Sequence, residues 1–188
     1  MKIRNYSYEE FIDIIKSFHG DLAPGIVMGG FMVELAYSLL PEDGLFDAVV
    51  ETTACLPDVI QLLTPCSVGN GWLRIVDTGR FAITMYDKTN GKGIRVAPDN
   101  EKLKSWPELE AWYLKLKPKK EQDKELLLQE IKDAGTDLFK TEYVELAPDF
   151  LKKKKKSGIV QCPECSETYR SDSEGLCPFC SGEKNFLL

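Results

Sequence analysis

Apolar residues recur at helical spacing from the start of the chain. Phe11, Ile14, Ile15 and Phe18 fall on one face of a helix that opens with Ser7 and Glu10 at capping-box spacing and stops at Gly20. A second helix is predicted from Pro24, a residue suited to a first helical turn, to about Leu40. Its apolar residues surround most of the circumference, so it belongs at the centre of a fold or at a subunit interface, and a homodimer is one expectation. Within it, Gly29-Gly30 costs helix stability unless the missing side chains let another backbone approach.

The period then shortens. Residues 47–53 read as a strand, 57–63 as a short helix, and 72–77, 81–86 and 93–96 as further strands, with the turn Asn90-Gly91 joining the last two. Beyond Pro98 the chain becomes charged. One helix is expected between Pro107 and Pro118, and another around 119–134 with Leu127 and Ile131 on one side and a stop at Gly135. A last strand of this region is read at 143–146. Helices and strands mixed without strict alternation predict an α+β fold.

A length of 188 residues with 43% hydrophobic content suits one ordinary domain and a small appendage. Residues 1–150 read as an α+β core domain, 151–158 as a lysine-rich linker, and 159–188 as a four-cysteine finger. The most apolar stretch, 26–40, is too short to span a bilayer and carries Gly29, Gly30 and Glu34, so no membrane association is expected. The first residues run into a helix start without a signal-peptide pattern, which leads us to expect a reducing, cytoplasmic setting. A net charge of −6 argues against a nucleic-acid partner. The five lysines at 152–156 are the local exception, and like charges in a row read as a solvated linker.

The strongest chemical pattern is the pair of segments Cys162-Pro-Glu-Cys165 and Cys177-Pro-Phe-Cys180, separated by eleven residues. Each dipeptide turns tightly enough to place two sulfurs on adjacent corners of one tetrahedral zinc, and a segment this short has too little apolar surface to fold alone. Two disulfides or two redox dithiols are the competing readings. With all four corners filled by cysteine the zinc is structural, because no position remains for water or substrate.

In the core, the candidate chemistry falls at junctions: His19 at the end of the first helix, and Cys55 between a strand and a short helix. A thiol at a helix start is expected to favour thiolate, and Asp58 and Gln61 follow at intervals that place all three on one side of that helix. Each has a bland reading: His19 as a helix cap, Cys55 as a small buried hydrophobe, Asp58 as a charge favouring its helix N-terminus. Cys66 reads as structural.

At these residues the chain resembles the E-subunit family of formylmethanofuran dehydrogenase, whose core carries a His-Gly-His-x-Cys-Pro-Gly pattern followed by a second cysteine segment. Here the first segment reads His19-Gly20-Asp21-Leu22-Ala23-Pro24-Gly25, and the second runs from Thr53-Ala54-Cys55 to Pro65-Cys66. Asp77-Thr78-Gly79-Arg80 and Gly91-Lys92-Gly93-Ile94-Arg95-Val96 also look like family segments. The resemblance implies a thioredoxin-like core, with a mixed β-sheet flanked by helices, and a small C-terminal treble-clef-like finger. It implies that His19 and Cys55 border a core metal site, with Asp58 and Gln61 beside them. Asp21 and Ala23 depart from the pattern; alanine has no donor atom and oxygen is a poorer zinc ligand than sulfur, so the core is expected to bind metal weakly or not at all. The family points to an accessory role in anaerobic C1 metabolism, with a protein partner related to formylmethanofuran dehydrogenase. Two other classes remain open: a thiol or redox enzyme using Cys55 with His19 as base, and a zinc-finger adaptor or regulator.

Overall fold

The computed structural model describes residues 1–152 and 157–184. Most of the lysine run on which the linker reading rests, 153–156, lies outside the described residues, as does 185–188. The chain divides into two compact units, Met1–Leu151 and Lys152–Leu188.

The first unit opens with a small antiparallel pair, β1 (Lys2–Ile3) and β2 (Tyr6–Ser7), which leads into α1 (Tyr8–His19). The capping box forms as read: Glu10 N–H donates to Ser7 Oγ, and Ser7 N–H donates to the Glu10 carboxylate. Gly20 ends the helix at φ 83°, a left-handed conformation that glycine adopts without steric cost.

Helix α2 (Pro24–Ser38) lies in the core, packed against α1 and further helices and strands of the same unit. Its all-round apolarity is therefore satisfied within one chain and requires no second copy. The paired glycines admit side chains rather than a backbone. A Cβ on Gly29 would lie 2.7 Å from Val59, and one on Gly30 would strike the ring of buried Phe11.

The sheet is built from β3 (Phe46–Val50), β4 (Leu73–Ile75), β5 (Ile83–Asp87), β6 (Lys92–Pro98) and β7 (Phe139–Glu145), with α3 (Leu56–Leu63) between β3 and β4. Its order is β4-β3-β5-β6-β7, with β3 and β4 parallel and every other pair antiparallel. Strand alternation puts Ala48, Val50, Ile83, Met85, Ile94 and Val96 into the helix-facing core, and Val49 and Thr84 on the opposite face. Fold class is thus α+β with a mixed sheet. Three further helices, α4 (Asn100–Leu103), α5 (Pro107–Tyr113) and α6 (Lys124–Ala134), precede β7, and α7 (Pro148–Leu151) follows it.

Two elements differ from the sequence reading for identifiable reasons. The helix expected around 119–134 begins at Lys124, because Asp123 accepts from the N–H groups of Glu125 and Leu126, while Lys119–Glu121 forms only a 3-10 turn. The strand expected at 143–146 spans Phe139–Glu145. As an edge strand it leaves residues 140–143 exposed, so it lacks the apolar alternation that reveals a half-buried strand.

The second unit contains one antiparallel pair, β8 (Ile159–Gln161) and β9 (Thr168–Arg170), and the cysteine turns. No helix among the described residues is long and apolar enough to cross a membrane.

Candidate functional site

In the second unit, Cys162 follows β8 directly and the chain turns back to β9, with Ser166 N–H donating to Cys162 O and Cys162 N–H to Glu167 O. The second turn repeats the first bond, Ser181 N–H donating to Cys177 O. One sulfur from each of Cys162, Cys165, Cys177 and Cys180 lies within 4.8 Å of all the others. A tetrahedron with metal–sulfur arms of about 2.3 Å has edges of about 3.8 Å. Cys165 and Cys177 hold their sulfurs 3.9 Å apart, so the cage has the size zinc requires.

Backbone amides prepare it for anionic ligands: Cys177 N–H points at Cys162 Sγ at 3.3 Å, and Cys180 N–H at Cys177 Sγ at 3.4 Å. Amides of the cage, those of Cys165 and Cys177 foremost, pull the Cys162 thiol down to about 6. Desolvation and the neighbouring sulfurs push Cys180 upward, so four sulfurs without a cation resist sharing full negative charge. Zinc bound here by four thiolates would supply cross-linking and charge neutralisation, with no open position for catalysis. The sequence prediction of these four ligands agrees with their placement.

In the core, β3 and β4 run parallel with α3 connecting them, and Cys55 lies beyond the carboxyl end of β3 as the N-cap of α3. Crevices at such strand ends commonly bind ligands in α/β units. Cys55 adopts φ 58° and ψ −48°, a strained conformation for a non-glycine residue. Its thiol faces α2: a Cβ on Gly25 would lie 2.8 Å from Cys55 Sγ and 3.7 Å from the Phe81 ring. Phe81 in turn stands edge-on to Tyr113, 6.2 Å between centroids. These two aromatic neighbours were not singled out from sequence, where no periodicity or motif marks them.

His19 and Asp58 do meet. His19 Nδ1–H donates to Asp58 Oδ2 at 2.7 Å, linking the end of α1 to the first turn of α3. Among the described residues, His19 makes no hydrogen bond to Cys55. Gln61 is turned to the following loop, its Oε1 accepting from Val68 N–H at 3.3 Å. Burial pushes the Cys55 thiol up and the Asp58 charge adds to the effect, which overrides the thiolate preference expected at a helix start. Asp21, the candidate oxygen donor, faces Lys124 at 3.2 Å and accepts from Leu22 N–H, and the Lys124 ammonium leads the causes that lower its pKa. Cys66 is buried with Sγ donating to Phe46 O, a structural placement.

A second polar cluster lies one residue beyond β3. Glu51 is 6% exposed, and its carboxylate accepts from Arg95 Nε at 2.6 Å and Arg95 Nη2 at 3.1 Å; the Arg80 guanidinium forms an ion pair with it, Nε at 2.6 Å, while the Arg80 Nε–H donates to Thr78 Oγ1 at 3.1 Å. Thr78 Oγ1 donates to the Glu51 carboxylate at 3.3 Å. Burial would raise this carboxyl's pKa, but the Arg95 hydrogen bonds and the Arg95 and Arg80 charges outweigh it and hold the value below the ordinary range. The segments 77–80 and 91–96, to which sequence reading gave strand, turn and family resemblance but no site role, thus converge on a carboxylate that it passed over. The available signal was an acid ending the apolar run Ala48-Val49-Val50.

A family model described as "FmdE, Molybdenum formylmethanofuran dehydrogenase operon" matches residues 18–147, and one described as "FmdE treble clef zinc finger" matches 153–187. The crystal structure of a tungsten formylmethanofuran dehydrogenase FmdE-like protein from Syntrophus aciditrophicus aligns with TM-score 0.91 and 48% identity over 99% of this chain and 98% of that one. A probable S-adenosyl-L-methionine-binding protein from Archaeoglobus fulgidus is 29% identical over 189 residues, covering 89% of this chain. The chain spans about half the length of that curated relative, 51%. With most of the first unit and the cysteine cage each matched by the corresponding model, the chain belongs to the FmdE family and ends in an FmdE-type treble-clef zinc finger.

Proposed function

We propose that this chain is a zinc-organised accessory protein, whose finger engages a protein partner related to formylmethanofuran dehydrogenase and whose core presents the corner formed by His19, Asp58 and Cys55. The observation that carries this reading is the four-sulfur cage, whose size fits zinc and whose closed coordination gives the metal a structural task. A small zinc-stapled unit has little core of its own and acts through its surface. That surface favours protein over nucleic acid: Glu164, Glu167, Asp172, Glu174 and Glu183 outnumber Arg170 and Lys184 in the finger.

The thiol-enzyme alternative is weaker on chemical grounds. A nucleophilic cysteine needs a lowered pKa or a base within hydrogen-bond reach, whereas Cys55 is pushed upward and His19 directs Nδ1 to Asp58.

The test pairs metal analysis with association, using the intact chain and Cys177→Ser. One zinc per chain, lost in the variant, together with cysteine-dependent co-elution with purified formylmethanofuran dehydrogenase, is the expected result. Zinc retained when all four cage cysteines are replaced would place metal in the core and contradict the weak core site. Co-elution that is absent, or unaffected by losing the cage, would remove the partner-binding role.

A further inference from the structure

Strand β7 closes the sheet on one side, and no strand among the described residues pairs with its outer edge. Residues 140–143 are exposed along it, Tyr143 to 78%. The bonds at the two ends of the β6–β7 ladder fix which groups face outward: Leu146 N–H donates to Gly91 O, and Asp99 N–H donates to Leu138 O. Even-numbered residues of the strand therefore turn their backbone groups toward β6, and the N–H and C=O of Thr141, Tyr143 and Glu145 point away from the sheet. Phe139 points outward too, and its carbonyl accepts from Lys102 Nζ at 2.8 Å, which leaves a second lone pair. After β7 the chain crosses to Arg74 of β4, over the face of the sheet, and leaves this edge open.

An open edge is a template for another strand. Lys140 and Glu142 lie two residues apart on the face opposite the helices, on either side of Thr141. Because the outward groups belong to odd residues, a second β7 running antiparallel across a two-fold axis pairs only odd with odd. Centring the axis on Lys140 or Glu142 sets like charges directly opposite, and centring it on Tyr143 leaves Glu142 facing Val144 and Lys140 facing Leu146. Centring it on Thr141 sets Lys140 opposite Glu142 twice, with Tyr143 opposite Phe139 on the helix side. Glu142 already stands opposite Arg95 in the β6–β7 register, and Arg95 holds Glu51. The lysine of a second copy extends that alternation, so that Glu51, Arg95, Glu142 and the incoming Lys140 form one row of opposite charges across the joint.

We propose that β7 pairs with β7 of a second copy, antiparallel about Thr141, joining the two five-stranded sheets into one continuous sheet. The joint draws on the edge of the first unit and not on α2, the zinc cage or the Cys55 corner. A ladder over 139–143 buries less than the roughly 1,000 Å² of a stable interface, so the expected dissociation constant is on the order of 100 µM.

Sedimentation equilibrium of the full-length zinc-loaded chain, from about 10 µM to about 1 mM, reads the association, and amide hydrogen exchange reads its place. Dimers are expected at the upper end. Exchange should slow with concentration at the outward amides of Thr141 and Tyr143, while the β6-facing amides of Lys140 and Glu142 stay slow throughout. Thr141→Pro removes an outward donor and no bond to β6, so it should weaken the dimer about tenfold or more with the urea midpoint little changed. Lys140→Glu and Glu142→Lys should each be monomeric alone, yet pair when mixed, because every crossing then sets opposite charges together. A chain that stays monomeric at about 1 mM overturns the proposal, as does a dimer in which exchange at Thr141 and Tyr143 is unchanged or that Thr141→Pro leaves intact. Charge variants that fold as the parent does and fail to pair when mixed overturn the Thr141-centred register; should either variant lose its fold, exchange and Thr141→Pro still decide.

Discussion

Replacing Glu51 by glutamine tests whether the buried cluster beside β3 holds the first unit together. The Glu51 and Arg95 side chains are 9% and 19% exposed, so their paired hydrogen bonds are largely desolvated. Removing one member of a buried pair typically costs about 3–5 kcal/mol, because the other charge is left uncompensated. Two features reduce that figure here: glutamine keeps one acceptor oxygen, and the partial exposure of Arg95 admits water. The Arg80 contact adds little, since at 64% exposure it behaves as a surface pair worth about 0.2–1 kcal/mol. We therefore expect a loss of about 2–3 kcal/mol at pH 7.

Urea titration followed by tryptophan fluorescence is the assay, because Trp72, Trp106 and Trp112 all lie in Met1–Leu151 and report on that unit alone. The folded-state pKa of Glu51 is depressed, so its contribution is complete above the ordinary value of 4.5 and is lost as pH falls through the lower folded value. Glutamine does not titrate, and the gap between the two proteins should close only in that acid window. A gap below about 0.5 kcal/mol at pH 7, a value ordinary for surface changes, would contradict this account of the cluster; so would a gap that persists unchanged into acid.

Other consequences concern the thiol, the glycine pair and the metal. Asp58→Asn removes a charge that raises the Cys55 pKa, so the pH midpoint of Cys55 alkylation should fall, yet stay above the ordinary cysteine value because burial is the larger cause; an unchanged midpoint would show that Asp58 does not act on the thiol. Gly30→Ala gains about 1 kcal/mol of helix preference but drives a Cβ into the Phe11 ring, and overpacking of that kind costs about 1–3 kcal/mol or more, so the urea midpoint should drop; a rise would mean the core opens there at no cost. Stripping zinc with a chelator should abolish amide-exchange protection in the β8–β9 pair while the tryptophan-detected unfolding of the first unit stays unchanged; protection that survives metal loss would show that the finger folds without it.

Features that depend on residues close together in the chain were legible from the sequence. The Ser7–Glu10 capping box, the Gly20 stop and the two cysteine turns are local chemistry, and the structure forms each of them. The circumference of α2 announced burial, because an all-apolar helix has no face to give to water. Whatever rests on contacts between distant segments came only with the folded chain. Folding made the chain's own core the environment of α2, turned Gln61 to a loop and His19 to Asp58, and raised the Cys55 thiol by burial against a favourable helix start. It also assembled Glu51, Arg80 and Arg95 from three segments that carry no shared pattern, since an ion-pair network depends on sheet register rather than on sequence spacing. The cysteine cage was legible for the complementary reason: each Cys-Pro-x-Cys turn fixes two ligand positions within four residues, leaving the fold only to bring two turns together.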